Sequence, residues 1–135
     1  MKSTVPVGTN DRVRELIASR TDTPFGVVSN PEFLREGAAI ADFMRPDRVV
    51  IGARDAQAVA IMKDIYSPLY LIETPFVITN VESSELIKYA SNAFLSVKLA
   101  FINEMADLAQ ETGADVQDVS IGMGLDSRIG DRFLA

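Results

Sequence analysis

The chain is 135 residues long and 47% hydrophobic, with 19 acidic against 13 basic residues and a net charge of −6, a composition that builds one folded domain or two partial ones. It contains no cysteine and no histidine, which excludes disulfides, thiolate or imidazole metal ligation, and cysteine or histidine catalysis by its own side chains. The acidic balance argues against a nucleic-acid backbone as the main partner, and no apolar run reaches the roughly 18 residues of a membrane span.

The chain opens on Met1-Lys2-Ser3-Thr4-Val5-Pro6-Val7-Gly8. This stretch has no apolar signal region, so the cytoplasm is the default compartment. Thr9 or Asn10 can cap a helix running to about Arg20, with Val13, Leu16 and Ile17 as its apolar stripe. Phe25 to Ser29 reads as a short buried strand. Asn30-Pro31-Glu32-Phe33-Leu34-Arg35-Glu36-Gly37 follows, then a short apolar helix from Ala38 to about Phe43. Pro46-Asp47 marks a turn, and Arg48 to Gly52 is a second buried strand. Asp55 opens a further helix with Ala58, Val59, Ile61, Met62 and Ile65 inward. After an irregular stretch between Pro68 and Pro75, Phe76 to Thr79 is a third strand. Strands alternating with helices imply an α/β fold with a mostly parallel sheet.

The pattern changes near residue 80. From about Val81 to Thr112 there is neither proline nor glycine, and apolar residues from Leu86 to Leu108 recur at helical spacing. Gly113 is a plausible stop. At ~1.5 Å per residue such a helix spans about 45–50 Å, long enough to link domains or to pair with a copy of itself. Asp115 starts a shorter helix to about Ile121, and Gly122, Gly124 and Gly130 make the tail loop-rich. Both ends lack a cap or polar tail, so the chain reads as a piece of something longer. The expected division is residues 1–79 and 80–135.

Four groups of residues could carry chemistry. Asn30 to Gly37 packs two carboxylates, a guanidinium and two apolar side chains into eight residues. If the stretch is a helical turn, Glu32 and Glu36 share one side and could move protons or touch cofactor and substrate; the plain alternative is two surface carboxylates, one paired with Arg35. Lys88 and Asn92 lie four apart on the long helix, where an ammonium and an amide could stabilise an oxyanion; the alternative is a snorkelling lysine and a solvated asparagine. The hydroxyls of Ser3 and Thr4 could meet a cofactor or water, or simply belong to a capping loop. Arg128, among Gly122, Gly124 and Gly130, could clamp a phosphate or a sugar hydroxyl, or sit in a flexible connection. No G-x-G-x-x-G or P-loop occurs in the chain.

Taken together, five blocks of sequence resemble the UDP-glucose/GDP-mannose dehydrogenase family. They are Lys2 to Gly8, Asn30 to Gly37, Asp42-Phe43 with Pro46 to Gly52, Glu85 to Phe94 with Phe101 to Glu104, and Gly113 to Val116 with Asp126 to Gly130. The resemblance implies the C-terminal part of a Rossmann-like parallel-sheet domain, then a long central helix and an all-α dimerisation domain. It implies oxidation of the C6 alcohol of a nucleotide sugar, UDP-glucose first among them, to a carboxylate by two NAD in turn. The aldehyde would be captured by a cysteine, oxidised to a thioester and hydrolysed.

By matching position, Lys88 would stabilise the C6 oxyanion, assisted by Asn92. Glu32 would be an acid/base in thioester hydrolysis. Thr4 would hold a catalytic water and, with Ser3, lie near the cofactor. Glu36 would lie beside nicotinamide and substrate. Phe33, Leu34 and Arg35 would shape the substrate loop, and Arg128 would reach the substrate of a neighbouring subunit. The homodimer would form through helix 81–112. The family's dinucleotide fingerprint and nucleophilic cysteine are absent from this chain, and Ala135 stands near where the family often has a lysine. The chain alone is therefore expected to be inactive. Two other readings stay open: a catalytically dead dimerisation module, and a related dehydrogenase acting on GDP-mannose or a UDP-N-acetyl-sugar.

Overall fold

A computed structural model describes residues 1–134, apart from the side chains of residues 70–72. Ala135 lies outside the described residues. The chain divides into two compact units, Met1–Tyr89 and Ala90–Ala135, and one helix runs through both.

In the first unit, strand β1 (Val49–Gly52) pairs in parallel with β2 (Phe76–Thr79), Val49 opposite Phe76 and Gly52 opposite Thr79. All four β1 residues are buried, as a strand covered on both faces requires. Helix α3 (Ala56–Ile65) and a 3₁₀ segment (Ser67–Ile72) make the crossover between them. Asp55 caps α3, its Oδ1 accepting from the Ala58 amide at 2.6 Å. Val49, Ile51, Tyr66 and Leu69 form the core, with Val28, Val59, Met62 and Phe76 packed against it. Ile61 and Ile65, expected inward, are more than half exposed; Val59 and Met62 pack against the core and Ala58 is buried.

Two further expectations change. Phe25 to Ser29 is not a strand. A ladder needs consecutive partners on one neighbour, and this segment divides its backbone between two. Ser29 makes one antiparallel bridge with Gly52, at 2.9 and 2.7 Å. The Val28 carbonyl and the Asn30 amide turn instead to Met1, at 2.7 and 2.9 Å. Helix α1 (Thr9–Ala18) is not capped by Thr9 or Asn10; its N-cap position is Gly8, and Thr9 Oγ1 donates back to the Pro6 carbonyl. The helix stops two residues short of Arg20, and Leu16 and Ile17 are exposed. Helix α2 (Ala39–Met44) forms as expected, one residue along.

Helix α4 (Val81–Thr112) has the length and bounds that the sequence predicts. Asn80 Oδ1 accepts from the Ser83 amide at 2.7 Å at its start. At its end Gly113 takes a left-handed φ of 76° and the Ala114 amide reaches back to the Ala109 carbonyl at 3.0 Å, the six-to-one closure that glycine permits. In the second unit, α5 (Val116–Gly124) is capped by Asp115, which accepts from the Gln117 amide at 2.8 Å. It runs past Ile121, so Gly122 and Gly124 lie in its last turn rather than in a loop. Lys98 donates to the carbonyls of Ile129 and Gly130, fixing the tail to α4, and Ile102, Ala109 and Leu134 are buried.

Gly52 is where β1 meets α4. A Cβ there would lie 2.4 Å from Ser84 Cβ, 2.8 Å from the Asn80 carbonyl oxygen and 3.0 Å from Val81 Cα. Gly52→Ala is expected to destabilise the protein by about 1–3 kcal/mol or more through overpacking. The double change Gly52→Ala/Ser84→Gly should recover only part, since backbone still blocks the methyl. Urea unfolding midpoints check both outcomes.

Candidate active site

The Asn30–Gly37 segment is held at its root by a buried polar network. Asn30 Nδ2 donates to the Val50 carbonyl at 2.8 Å. Its Oδ1 accepts from the Tyr66 hydroxyl at 2.6 Å and from Lys2 Nζ at 3.2 Å. Lys2 also donates to the Tyr66 hydroxyl at 3.0 Å. The residue that begins the loop is thereby tied to β1, to the core and to the residue preceding Ser3. The loop then leaves as extended chain: the Glu32 amide donates to the Lys2 carbonyl at 3.3 Å. No helical turn forms over 32–36, so Glu32 and Glu36 do not share a face by helical spacing. Pro31 disfavours the helical region at Asn30, so the loop enters as extended chain. The chain turns at Gly37, φ 79°.

The side chains of the loop fall into two sorts. Arg35 is spent. Its Nε and terminal nitrogen hold Asp42 at 3.0 and 2.6 Å, and the Arg35 amide donates to the same carboxylate. Arg35 thus pairs with Asp42 at the start of α2, not with Glu32 or Glu36. Among the described residues, the half-buried Glu32 carboxylate and the exposed Glu36 carboxylate make no hydrogen bond or ion pair, and Leu34 is exposed. The hydroxyls of Ser3 and Thr4, also exposed, have no partner among the described residues.

Lys88 presents its charge differently from a surface lysine. The residue is only 7% exposed. Its Nζ sits 5.1 Å from the centre of the Phe33 ring, and Arg48 lies 3.8 Å from the same centre. Among the described residues the ammonium makes no hydrogen bond and no ion pair. An aromatic face attracts a desolvated cation by about 2 kcal/mol and does not neutralise it. The result is a buried positive charge beside the Glu32-Phe33 loop, able to donate to a newly formed anion. Asn92 follows one turn later on α4 and is exposed.

The residues that sequence reading passed over are those that hold the site together. Glu85 is 2% exposed and accepts from the Gly8 amide at 2.7 Å, the Asn10 amide at 2.9 Å and Asn10 Nδ2 at 2.6 Å. Lys2, Asn30 and Tyr66 form the network at the loop root. A glutamate that caps a helix about 75 positions earlier leaves no local mark in the sequence.

Comparisons with known proteins identify the family. The profile of the UDP-glucose/GDP-mannose dehydrogenase family, NAD binding domain, matches residues 1–70, and that of the same family's central domain matches residues 82–135. The chain belongs to this family. It is 59% identical over 138 residues to a UDP-glucose 6-dehydrogenase of Rhizobium meliloti, covering 98% of this chain and 31% of the relative. It is 51% identical to the UDP-glucose 6-dehydrogenase TuaD of Bacillus subtilis, covering 98% and 29%. Among solved structures, a UDP-glucose dehydrogenase from Pyrobaculum islandicum superposes with a TM-score of 0.91 at 43% identity, covering 98% of this chain and 31% of that one. A GDP-mannose dehydrogenase from Pseudomonas aeruginosa gives 0.86 at 36%, covering 93% and 29%. The chain thus spans about a third of the length of the relatives it matches.

For a family with an NAD-binding domain, the donor set here is apt but partial. Ser3, Thr4 and Glu36 carry hydroxyls and a carboxylate, with no partner among the described residues, of the kind that could hydrogen-bond a dinucleotide. The glycine-rich turn that would take a pyrophosphate is not in this sequence. Among the described residues, no group of three His, Cys, Asp or Glu could hold a metal ion, and no helix is long and apolar enough to cross a membrane.

In the second unit, Arg128 is 87% exposed at its side chain and held by its own neighbour. Asp126 Oδ1 accepts from both the Arg128 amide and Nε at 3.0 Å, and Oδ2 from the terminal nitrogen at 2.6 Å. These hydrogen bonds keep the Asp126 carboxyl below its ordinary range, and the Asp126 carboxylate makes Arg128 harder to deprotonate. The pair contributes stability above the ordinary carboxylate range and loses it as pH falls through the depressed value, weakly because it is exposed. Titration of Asp126 by carbon NMR should give a midpoint below that of a free aspartate. Arg128→Ala should return it to the ordinary value, and an unchanged midpoint would reject the pairing.

Proposed function

We propose that this chain is part of an NAD-dependent nucleotide-sugar 6-dehydrogenase that oxidises UDP-glucose to UDP-glucuronate in the cytoplasm. The observation that carries this reading is Lys88, a buried ammonium set against the Phe33 ring, in a chain whose relatives are UDP-glucose 6-dehydrogenases. Overall, one primary alcohol, two NAD⁺ and one water give a carboxylate, two NADH and three protons. NAD, when bound, accepts hydride at each of the two oxidations.

The chain's own residues have distinct tasks in this reading. As the C6 hydroxyl loses its proton, Lys88 holds the oxygen's negative charge in a site with few competing dipoles, with Asn92 adding a hydrogen bond. Glu32, free of any counter-ion, accepts and returns the proton of the water that enters the product. Thr4 positions that water. Ser3, Thr4 and Glu36 line the cofactor side, and Phe33, Leu34, Arg35 and Glu36 the sugar side. Arg128 reaches the substrate bound by a second copy. The oxidation to the acid also needs a nucleophile, and this sequence has no cysteine, so the chain on its own is inactive.

The sheet part and the helical part, residues 1–79 and 80–135, serve cofactor and dimer respectively. Phe94, Val97, Phe101 and Leu108 on α4 are all more than 40% exposed, a stripe suited to self-association. That stripe is also what favours the second reading, a dimerisation module without catalysis.

The full-length protein carrying this chain is expected to reduce NAD with UDP-glucose. Absence of turnover with UDP-glucose, GDP-mannose and UDP-N-acetyl-sugars would reject the enzymatic reading; turnover with GDP-mannose alone would reassign the sugar. Lys88→Ala should lower kcat by about 10²–10³-fold while KM changes little, because the charge is used in the transition state. A raised KM at constant kcat would remove the oxyanion role. Light scattering should report a dimer, which Phe94→Asp with Val97→Asp dissociates; a monomer before substitution contradicts the pairing.

A further inference from the structure

The first unit has a second buried charge that the proposed chemistry does not use. Glu85 lies three residues before Lys88 on α4, so the two side chains emerge from neighbouring turns of one helix. Its carboxylate is not paired with Lys88 or with any other cation among the described residues. It receives the amides of Gly8 and Asn10 and the Asn10 side chain, at 2.7, 2.9 and 2.6 Å. These are the unsatisfied donors of the α1 N-terminus, where a negative charge is favoured by the peptide dipoles. The cap thus comes from across the unit, not from the local residue that usually supplies it.

Asn10 makes the arrangement specific. It is buried, and its Oδ1 has no partner among the described residues. Turning the amide over would satisfy nothing, because it would set an oxygen against the Glu85 carboxylate. A generic cap has no need of a third donor whose other end is left unsatisfied, at a typical cost of about 1–3 kcal/mol. What the contact achieves is a rigid tie between two pieces of backbone. One is the Ser3–Gly8 segment, fixed at Lys2 by Asn30 and Tyr66 and at Gly8 by Glu85. The other is the turn of α4 that carries Lys88.

We infer that Glu85 is a positioning residue: through Gly8 and Asn10 it locks the Thr4 segment to the Lys88 turn, so that the water-holding hydroxyl and the anion-holding ammonium keep one spacing. This rests on the roles given to Thr4 and Lys88 above. A misplacement of about 1 Å between such groups costs on the order of 10²-fold in rate.

The test compares Glu85→Ala and Glu85→Gln with Asp55→Ala in the full-length protein. Asp55 is also a carboxylate cap in the same unit, serving α3, and among the described residues it makes no hydrogen bond to either segment. Glu85→Ala is expected to speed hydrogen exchange at the Gly8 and Asn10 amides and to change the rate at which acetic anhydride labels Lys88. It should lower kcat by on the order of 10²-fold with KM within about threefold. Glu85→Gln keeps the volume and one acceptor while setting its NH₂ against a backbone amide, so it should show the same changes in weaker form, and it carries the test if the alanine variant does not fold. Asp55→Ala should lower Tm without moving exchange at Gly8, labelling of Lys88 or kcat.

Unchanged exchange and labelling in both Glu85 variants would overturn the inference. So would an equal kcat loss in Asp55→Ala at matched Tm, which would make Glu85 a stabilising cap and nothing more. If the wild-type protein oxidises no nucleotide sugar, the functional reading fails, and exchange and labelling still decide whether Glu85 makes the tie.

Discussion

The contact on which the first unit depends is the approach of α4 to the end of β1 at Gly52. Side chains normally keep a helix several ångströms from a strand. Here the space that a Cβ would need is already filled by Ser84, Asn80 and Val81, and Ser84 Oγ donates to the Ser29 carbonyl at 3.1 Å. Ser29 in turn bridges Gly52. Strand, helix and loop root therefore meet within one small cluster with no room for adjustment. The first turns of α4 inherit their position from it, and so do Glu85 and Lys88, one and four residues beyond Ser84. A chemistry that needs a charge held to a few tenths of an ångström is well served by a helix anchored this close to its functional turn.

Charge is distributed around that anchor with a division of labour. The arginines seen pairing with carboxylates are exposed: Arg35 with Asp42, Arg54 with Asp11 and Glu82, Arg128 with Asp126. Such pairs add little stability in water, and they set loop shape instead. Asp11, hydrogen-bonded by Arg54, is held below its ordinary pKa range by the same kind of contact as Asp126. The buried charges follow the opposite rule. Among the described residues, Glu85 is satisfied by three N–H donors and no cation, while Lys88 faces a ring and no anion. Two opposite charges three residues apart on one helix could have paired with each other. Instead Glu85 serves a helix end and Lys88 lies against an aromatic face.

What could be read from sequence follows the range of the forces involved. Helix α4 was legible to the residue because thirty-two positions without proline or glycine, with a glycine at the end, leave few alternatives, and the caps at Asp55 and Asp115 are local patterns. The parallel pairing of β1 with β2 followed from alternation of strand and helix. Phe25 to Ser29 failed because apolar β-formers give a strand only if a neighbour offers consecutive partners, and Met1 and Gly52 each take a share. The Asn30–Gly37 segment was singled out by its density of functional types, yet its conformation was not: where the spacing of Glu32 and Glu36 had suggested a helical turn, the chain is extended and its Glu32 amide bonds to Lys2. Glu85, Lys2 and Tyr66 were invisible as a support because their partners lie about 75, 28 and 36 positions away.

The Phe33 ring shows why the loop and the helix must be considered together. Bringing an ammonium out of water is costly unless something replaces its hydration. A carboxylate would do so most strongly, but it would also neutralise the charge. An aromatic face offers partial compensation and leaves the hydrogen-bond donors of Nζ unspent. The Arg48 guanidinium lies 3.8 Å from the centre of the same Phe33 ring, so two cations share one aromatic partner. Arg48 immediately precedes β1, and Lys88 follows the Gly52–Ser84 contact by four residues. The ring that tempers Lys88 is therefore supported from the same strand that positions its helix. Loosening the loop at Asn30 would release the ring, and with it the environment of the lysine, without touching either charge.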